Sequence, residues 1–225
     1  MILTIIMLIS ITFVYADAQN SQNVYVIPIK GEINPATMQF IKSSVERAVN
    51  DPNSVALIFE IDTLGGMIDQ ATKIRDIIMK APLKTVSFVN NRAESAGVLL
   101  AIASENFVMA NGSTIGSAET VPFTEKNISY WKSELRSTAQ QRGRDPRIVE
   151  AMADRRIEIV DPQDKNKFIV REGELLNLTT KEAERIGFVD YVENTYEDIL
   201  ETLNIEYTDI IIVEQDFKVK IAQAV

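Results

Sequence analysis

Val55-Ala-Leu-Ile-Phe-Glu-Ile61 runs directly into Asp62-Thr-Leu-Gly-Gly66, and the reading of this stretch decides the fold. An apolar run this continuous has no polar face to offer water, so it reads as a strand covered on both sides. The glycine pair then turns the chain, and Met67, Ile68, Ala71, Ile74 and Ile78 follow near helical spacing. Upstream, Val24 to Ile29 reads as a strand with a turn at Gly31. Asn34 follows as an N-cap with Pro35 at the first helical position, and Met38, Ile41, Val45 and Val49 make one apolar stripe. Downstream, a strand from Thr85 to Val89 leads to an apolar helix through Ala103 and a further strand from Phe107 to Ala110. Strands alternating with helices imply right-handed βαβ crossovers and a mostly parallel sheet, so the fold class is α/β.

Past Ser117 the pattern loosens. The spacing predicts a helix from about Asn127 to Arg142, stopped by Gly143, and another near 147–154 behind Asp145-Pro146. Two alternating stretches, Arg156 to Val160 and Lys167 to Arg171, flank a polar tip and read as a hairpin with a solvated end. Thr179 and Glu182 form a capping box for a short helix ending at Gly187. Val189 to Val192 reads as the last sheet strand, and Tyr196, Ile199 and Leu203 share a face of a terminal helix. Ile210-Ile-Ile-Val213 reads as either a strand or a contact surface.

The chain of 225 residues contains no histidine and no cysteine and carries a formal charge of −9. That balance argues against a nucleic-acid partner, which calls for clustered basic surface. Without cysteine there is no disulfide framework, and without His or Cys a zinc or transition-metal site is not expected. No cofactor is implied. Ile2 to Val14 resembles the apolar region of a signal peptide, with Ala16-Asp17-Ala18 as a small-residue cleavage site. A signal peptide over 1–18, a single domain over 19–225 and an extracytoplasmic location are therefore expected.

Chemistry concentrates at two points that follow strands, where parallel sheets bind ligands. One is Gly65-Gly66. The other is Ser95, in Ala93-Glu94-Ser95-Ala96-Gly97. The Gly66 and Ala96 N–H groups could together form an oxyanion hole, with Gly65 supplying the freedom of the turn. By spacing alone, an ordinary tight turn and an ordinary N-cap serine fit the same residues. A serine needs a base, and with no histidine in the chain that base is a lysine of lowered pKa or is borrowed. Glu94, beside Ser95, is the other titratable group at this point; a carboxylate at a helix start is ordinary.

The series Asp62-Thr-Leu-Gly-Gly66, Glu94-Ser95-Ala96-Gly97, Thr114-Ile-Gly-Ser117 and Gly173-Glu-Leu-Leu-Asn-Leu-Thr-Thr180 with Gly187-Phe-Val-Asp190 resembles the ClpP/crotonase superfamily. It is most similar to the N-terminal protease domain of NfeD-type membrane-bound serine proteases, related to signal peptide peptidase A. The resemblance spans about residues 23–193 in order. It implies a ClpP/crotonase-like fold, Ser95 as nucleophile, Gly66 and Ala96 as oxyanion donors, and a lysine base. It also implies apolar segments of stomatin- or flotillin-like membrane proteins as partners, homo-oligomeric assembly, and membrane anchoring where a C-terminal region follows. Two departures stand out. Leu64 occupies the place of the family's proline. Arg136 occupies the place of its catalytic lysine, and arginine stays protonated in proteins. Lys132 lies one turn earlier on the same helix face and is the replacement candidate, ahead of Lys126. Two rivals remain: a protease-shaped scaffold without a base, and an acyl-CoA hydratase or isomerase using the same oxyanion hole.

Overall fold

The computed structural model describes residues 21–214; the apolar N-terminal run read as a signal peptide lies outside the described residues. Among the described residues no helix is long and apolar enough to cross a membrane. The framework is an eight-stranded sheet. Strands β1 (Asn23–Lys30), β2 (Ser54–Thr63) and β3 (Lys84–Glu94) alternate with helices α1 (Pro35–Val49) and α2 (Ile68–Lys80). Helix α3 (Gly97–Ala101) follows, then β4 (Asn106–Met109) and β5 (Thr114–Gly116). Two helices, α4 (Glu125–Gln141) and α5 (Pro146–Ala153), precede the hairpin β6 (Ile159–Val160) and β7 (Phe168–Val170). The chain ends as β8 (Asn177–Thr179), α6 (Thr180–Arg185), β9 (Tyr191–Val192), α7 (Tyr196–Thr202) and β10 (Asp209–Ile212).

The sheet order is β10-β1-β2-β3-β4-β9, every neighbouring pair parallel. The alternation of each strand sends its side chains to two cores. Tyr25, Ile27, Ile29, Leu57, Phe59 and Ile61 meet the helices of the larger core. Val24, Val26, Ala56, Ile58, Val86 and Phe88 pack with Ile199 and Leu200 of α7 on the other face. Both faces of β2 are therefore covered, as its unbroken apolar run requires.

Helix α1 starts as its cap dictates: Asn34 Oδ1 accepts from the N–H groups of Ala36 and Thr37, each at 3.0 Å. Its buried face is Thr37, Phe40, Ile41, Ser44, Val45 and Ala48, turned from the stripe that apolarity alone suggests, and Val49 is exposed. Burial of the two hydroxyls is possible because each donates to a backbone carbonyl, Ser44 to Phe40 and Thr37 to Glu32, both at 2.7 Å. Met67 likewise leaves the expected stripe of α2 and is exposed as its N-cap residue.

Three further differences from expectation have physical causes. Strand β3 continues past Val89 because its second half pairs with β5, Arg92 opposite Thr114 and Glu94 opposite Gly116. The sheet does not end at β9; β10 adds on the far edge beside β1, so the Ile210–Ile212 run is a strand. The hairpin tip is not fully solvated, since Asp161 is buried and accepts from Gln163 N–H and the Arg185 guanidinium.

Candidate active site

Strand β3 runs straight into Ser95, whose backbone is left-handed at φ 54°. A non-glycine residue in this region is strained by roughly 1–3 kcal/mol and persists only where its surroundings fix it. Here the Ser95 N–H donates to Gly116 O at 2.9 Å, and Ser95 O accepts from the Val98 N–H at 3.1 Å. The sharp strand-to-helix turn lifts the side chain off the sheet, the geometry of a nucleophile elbow. Ser95 Oγ has no hydrogen-bond partner among the described residues.

The Gly65-Gly66 turn is knitted against this elbow. Gly65 donates to Thr63 Oγ1 at 2.9 Å and its carbonyl accepts from Ile33 N–H at 2.9 Å. A methyl placed on Gly65 would lie 2.5 Å from Ser95 Cβ, 2.9 Å from its Oγ and 3.1 Å from Ala96 N. One on Gly66 would lie 2.3 Å from Ile33 O. Only glycine permits this approach, and both residues also have positive φ, 103° and 154°. Two N–H groups are left over: neither Gly66 nor Ala96 donates to any described residue. Backbone donors in folded proteins are almost always paired, so two free ones beside a strained serine are conspicuous.

Ser95 opens into a cleft of about 450 Å3 whose walls include Gly66, Met67, Ala118, Val121 and Trp131. Trp131, on α4, is buried and donates its indole N–H to Ala118 O at 2.8 Å, fixing that wall. Tyr130 beside it is half exposed. At the rim, Val121 is 96% exposed and Met67 49%, an apolar mouth. A second cleft, about 500 Å3, adjoins across Gly66 and Glu32 and is lined by Lys30, Asp62, Leu64 and Arg92.

Lys132 also projects from α4, but its ammonium donates to Asp154 Oδ2 at 2.8 Å and makes no hydrogen bond to Ser95. Asp154 follows α5 and is 2% exposed. Arg156 grips the same carboxylate with Nε at 2.8 Å, Nη2 at 2.9 Å and its backbone N–H at 3.1 Å. Arg156 first, and Lys132 with it, hold the Asp154 carboxyl well below the usual carboxylate range against the opposing effect of burial. Arg136, one turn on, pairs with Glu150 of α5. Lys126 lies exposed in the first turn of α4. Glu94 accepts from Thr114 Oγ1 at 2.8 Å and from Asn177 Nδ2 at 2.7 Å. The structure thus brings together Ser95, Gly65, Gly66 and Ala96, and ties Lys132 to an aspartate that sequence reasoning did not single out.

A parallel-sheet α/β fold with a serine elbow facing a diglycine turn defines a ClpP-like class. ClpP1 from Listeria monocytogenes shares that fold at 16% identity and a TM-score of 0.59, over 77% of this chain and 94% of its own. More specifically, the model of the NfeD1b N-terminal domain matches residues 23–213, and the chain belongs to that family. Among curated relatives, membrane protein NfeD1b of Bacillus subtilis is 28% identical over 97% of this chain and 50% of its own length. Membrane-bound protease PH1510 of Pyrococcus horikoshii is 28% identical over 80% of this chain and 40% of its own. The chain thus spans half or less of the length of these relatives. A solved structure of 1510-N, a membrane protease specific for a stomatin homologue from Pyrococcus horikoshii, superimposes with a TM-score of 0.69 at 25% identity, covering 91% of this chain and 98% of that one. Another structure of 1510-N, with a lysine replaced by alanine and a substrate peptide bound, gives 0.72 at 24% identity, over 91% and 97%.

Proposed function

We propose that this domain is a serine endopeptidase acting on apolar polypeptide segments at the extracytoplasmic face of a membrane, with Ser95 as nucleophile. The observation that carries this reading is the pair of N–H groups, Gly66 and Ala96, that have no partner among the described residues beside the left-handed serine. Ser95 Oγ attacks the peptide carbonyl carbon, and the oxyanion that forms is held by those two donors. Lys132 Nζ takes the serine proton and returns it to the leaving amine as the C–N bond breaks. Water then attacks the acyl-enzyme by the same relay and releases the acid.

In this mechanism Lys132 leaves Asp154 and releases its ammonium proton to solvent before it serves as base. Arg156 keeps the aspartate compensated when it does, since it contributes three of the contacts to that carboxylate. The apolar mouth at Val121 and Met67 suits apolar substrate residues, and the stomatin specificity in the name of 1510-N supports stomatin-like membrane proteins as substrates. Assembly into homo-oligomers belongs to the same proposal.

A second reading, a protease-shaped scaffold for stomatin- or flotillin-type partners, is favoured by the Lys132–Asp154 ion pair, because a lysine engaged as a donor has no lone pair to offer Ser95. Hydrolysis of an apolar peptide by the wild type, Ser95→Ala and Lys132→Met separates the two. Loss of cleavage in both variants supports the dyad. Cleavage by Ser95→Ala at the wild-type rate overturns the peptidase reading, and binding without cleavage by all three proteins establishes the scaffold.

A further inference from the structure

Two serines have left-handed backbones, Ser95 in the cleft at φ 54° and Ser117, next to the cleft residue Ala118, at φ 49°. Strain of this kind persists where neighbouring contacts over-determine it. For Ser95 the direct contact is its N–H on Gly116 O. Gly116 is itself pressed against β8: a methyl there would lie 2.4 Å from Leu176 O and 2.6 Å from Asn177 Cα. Ser117 N–H donates to Leu176 O at 3.0 Å. The Leu176-Asn177 pair that opens β8, far away in sequence, is therefore the backing plate of both strained residues.

One side chain of β8 spans them. Asn177 Nδ2 donates to Glu94 Oε2 at 2.7 Å and to Ser117 Oγ at 2.8 Å. The amide orientation follows from chemistry, since an ionised carboxylate only accepts and must face the NH2 end. Glu94 is further held by Thr114 Oγ1. One amide group thus joins the residue before Ser95 to the residue that opens the Ala118 wall of the cleft.

We infer that Asn177 is a positioning residue for Ser95, fixing the elbow and the cleft wall in one register through the Glu94–Asn177–Ser117 chain of hydrogen bonds. The inference rests on the assignment of Ser95 as the reactive residue. Asn177 is exposed, so its hydrogen bonds add little to global stability; what they set is local geometry. Removing them leaves the strained turn to its backbone bonds alone, Ser95 N–H on Gly116 O and Ser117 N–H on Leu176 O.

The test uses isosteric changes. Asn177→Asp places a second carboxylate against Glu94, so attraction becomes repulsion without change of shape. The double variant Asn177→Asp/Glu94→Gln restores a donor–acceptor pair of opposite polarity. In Asn177→Asp, peptide turnover at neutral pH is expected to fall about tenfold or more with KM and Tm unchanged, because small misplacements of a reacting group carry large rate penalties. Turnover recovers in the double variant, where a donor again faces a carboxylate across the same gap. Amide hydrogen exchange at Ser95 gives a readout independent of catalysis: protection of its N–H falls in Asn177→Asp and returns in the double variant. If the wild type shows no Ser95-dependent hydrolysis, the peptidase reading fails and the exchange measurement alone decides this one. Unchanged exchange at Ser95 in Asn177→Asp overturns the inference, as does a loss of turnover that the double variant does not rescue.

Discussion

Gly65→Ala tests the site most directly, because the structure says where the added methyl goes. At φ 103° any L-residue is strained, by roughly 1–3 kcal/mol. The methyl also meets Ser95 Cβ at 2.5 Å, while carbon atoms in contact prefer about 3.5–4.0 Å, so the elbow and the turn must part by about 1 Å. Overpacking of this kind adds about 1–3 kcal/mol. Gly173→Ala is the matched control: its φ is 93°, yet a methyl there has no atom within 4 Å, so it carries the backbone term alone. Urea denaturation should show Gly65→Ala destabilised beyond Gly173→Ala by the contact term. Since a misplacement of about 1 Å costs on the order of 100-fold in rate, labelling of Ser95 by a fluorophosphonate and peptide hydrolysis should fall by that factor in Gly65→Ala only. Equal destabilisation of the two variants, with Ser95 reactivity intact in both, would refute the packing of the diglycine turn on the elbow.

Ser95→Gly should abolish hydrolysis and yet stabilise the fold by about 1 kcal/mol, or about 2–4 °C in Tm, since glycine relieves the left-handed strain; a lower Tm would mean that the hydroxyl makes a stabilising contact. Trp131 is the single tryptophan and lines the cleft, so binding of an apolar peptide to Ser95→Ala should change its emission, and a silent titration at saturating peptide would place binding elsewhere. Asp154 has a folded-state pKa below its ordinary 3.8, so its contribution to stability is present above that value and is lost as pH falls through and below it. Denaturation midpoints should therefore drop on acidification below about pH 4 in the wild type, and less steeply in Asp154→Asn, which is less stable than the wild type at neutral pH; identical pH profiles would remove Asp154 from the account. Val121→Lys puts charge on the apolar mouth and should raise KM for apolar peptides while kcat changes little; an unchanged KM would exclude this rim from substrate contact.

The sheet framework was legible because the strongest signals are short-range. A two-sided apolar run such as Val55–Ile61, or Asn34-Pro35 at a helix start, carries its structure within a few residues. What escaped depends on partners distant in sequence. Arg92-Ala-Glu94 has no strand pattern, and is strand because β5 lies beside it. Thr37 and Ser44 lie on the buried face of α1 because backbone carbonyls accept their hydroxyls, which apolarity counts do not register. The site divides in the same way. Glycines at 65 and 66 and a serine at a strand end mark themselves, because few other residues fit such geometry. Asp154 looks like any aspartate after a helix, and nothing in its neighbourhood announces that it is buried or that Lys132, 22 residues earlier, binds it.

That aspartate decides how the candidate base is to be understood. Helix α4 offers three cations, Lys126, Lys132 and Arg136, and α5 with the residue after it offers two carboxylates, Glu150 and Asp154. Arg136 takes Glu150 and Lys132 takes Asp154, so the two helices are joined by a ladder of ion pairs one turn apart. Any arrangement that gives Lys132 to Ser95 breaks one rung of that ladder while Arg136 retains the other. The unpaired partner would then be a carboxylate 2% exposed, a costly thing to leave alone, except that Arg156 already holds both of its oxygens. Two cations on one buried carboxylate make either of them expendable. Lys132 is the only one of the two that can act as a base, because a guanidinium does not give up its proton.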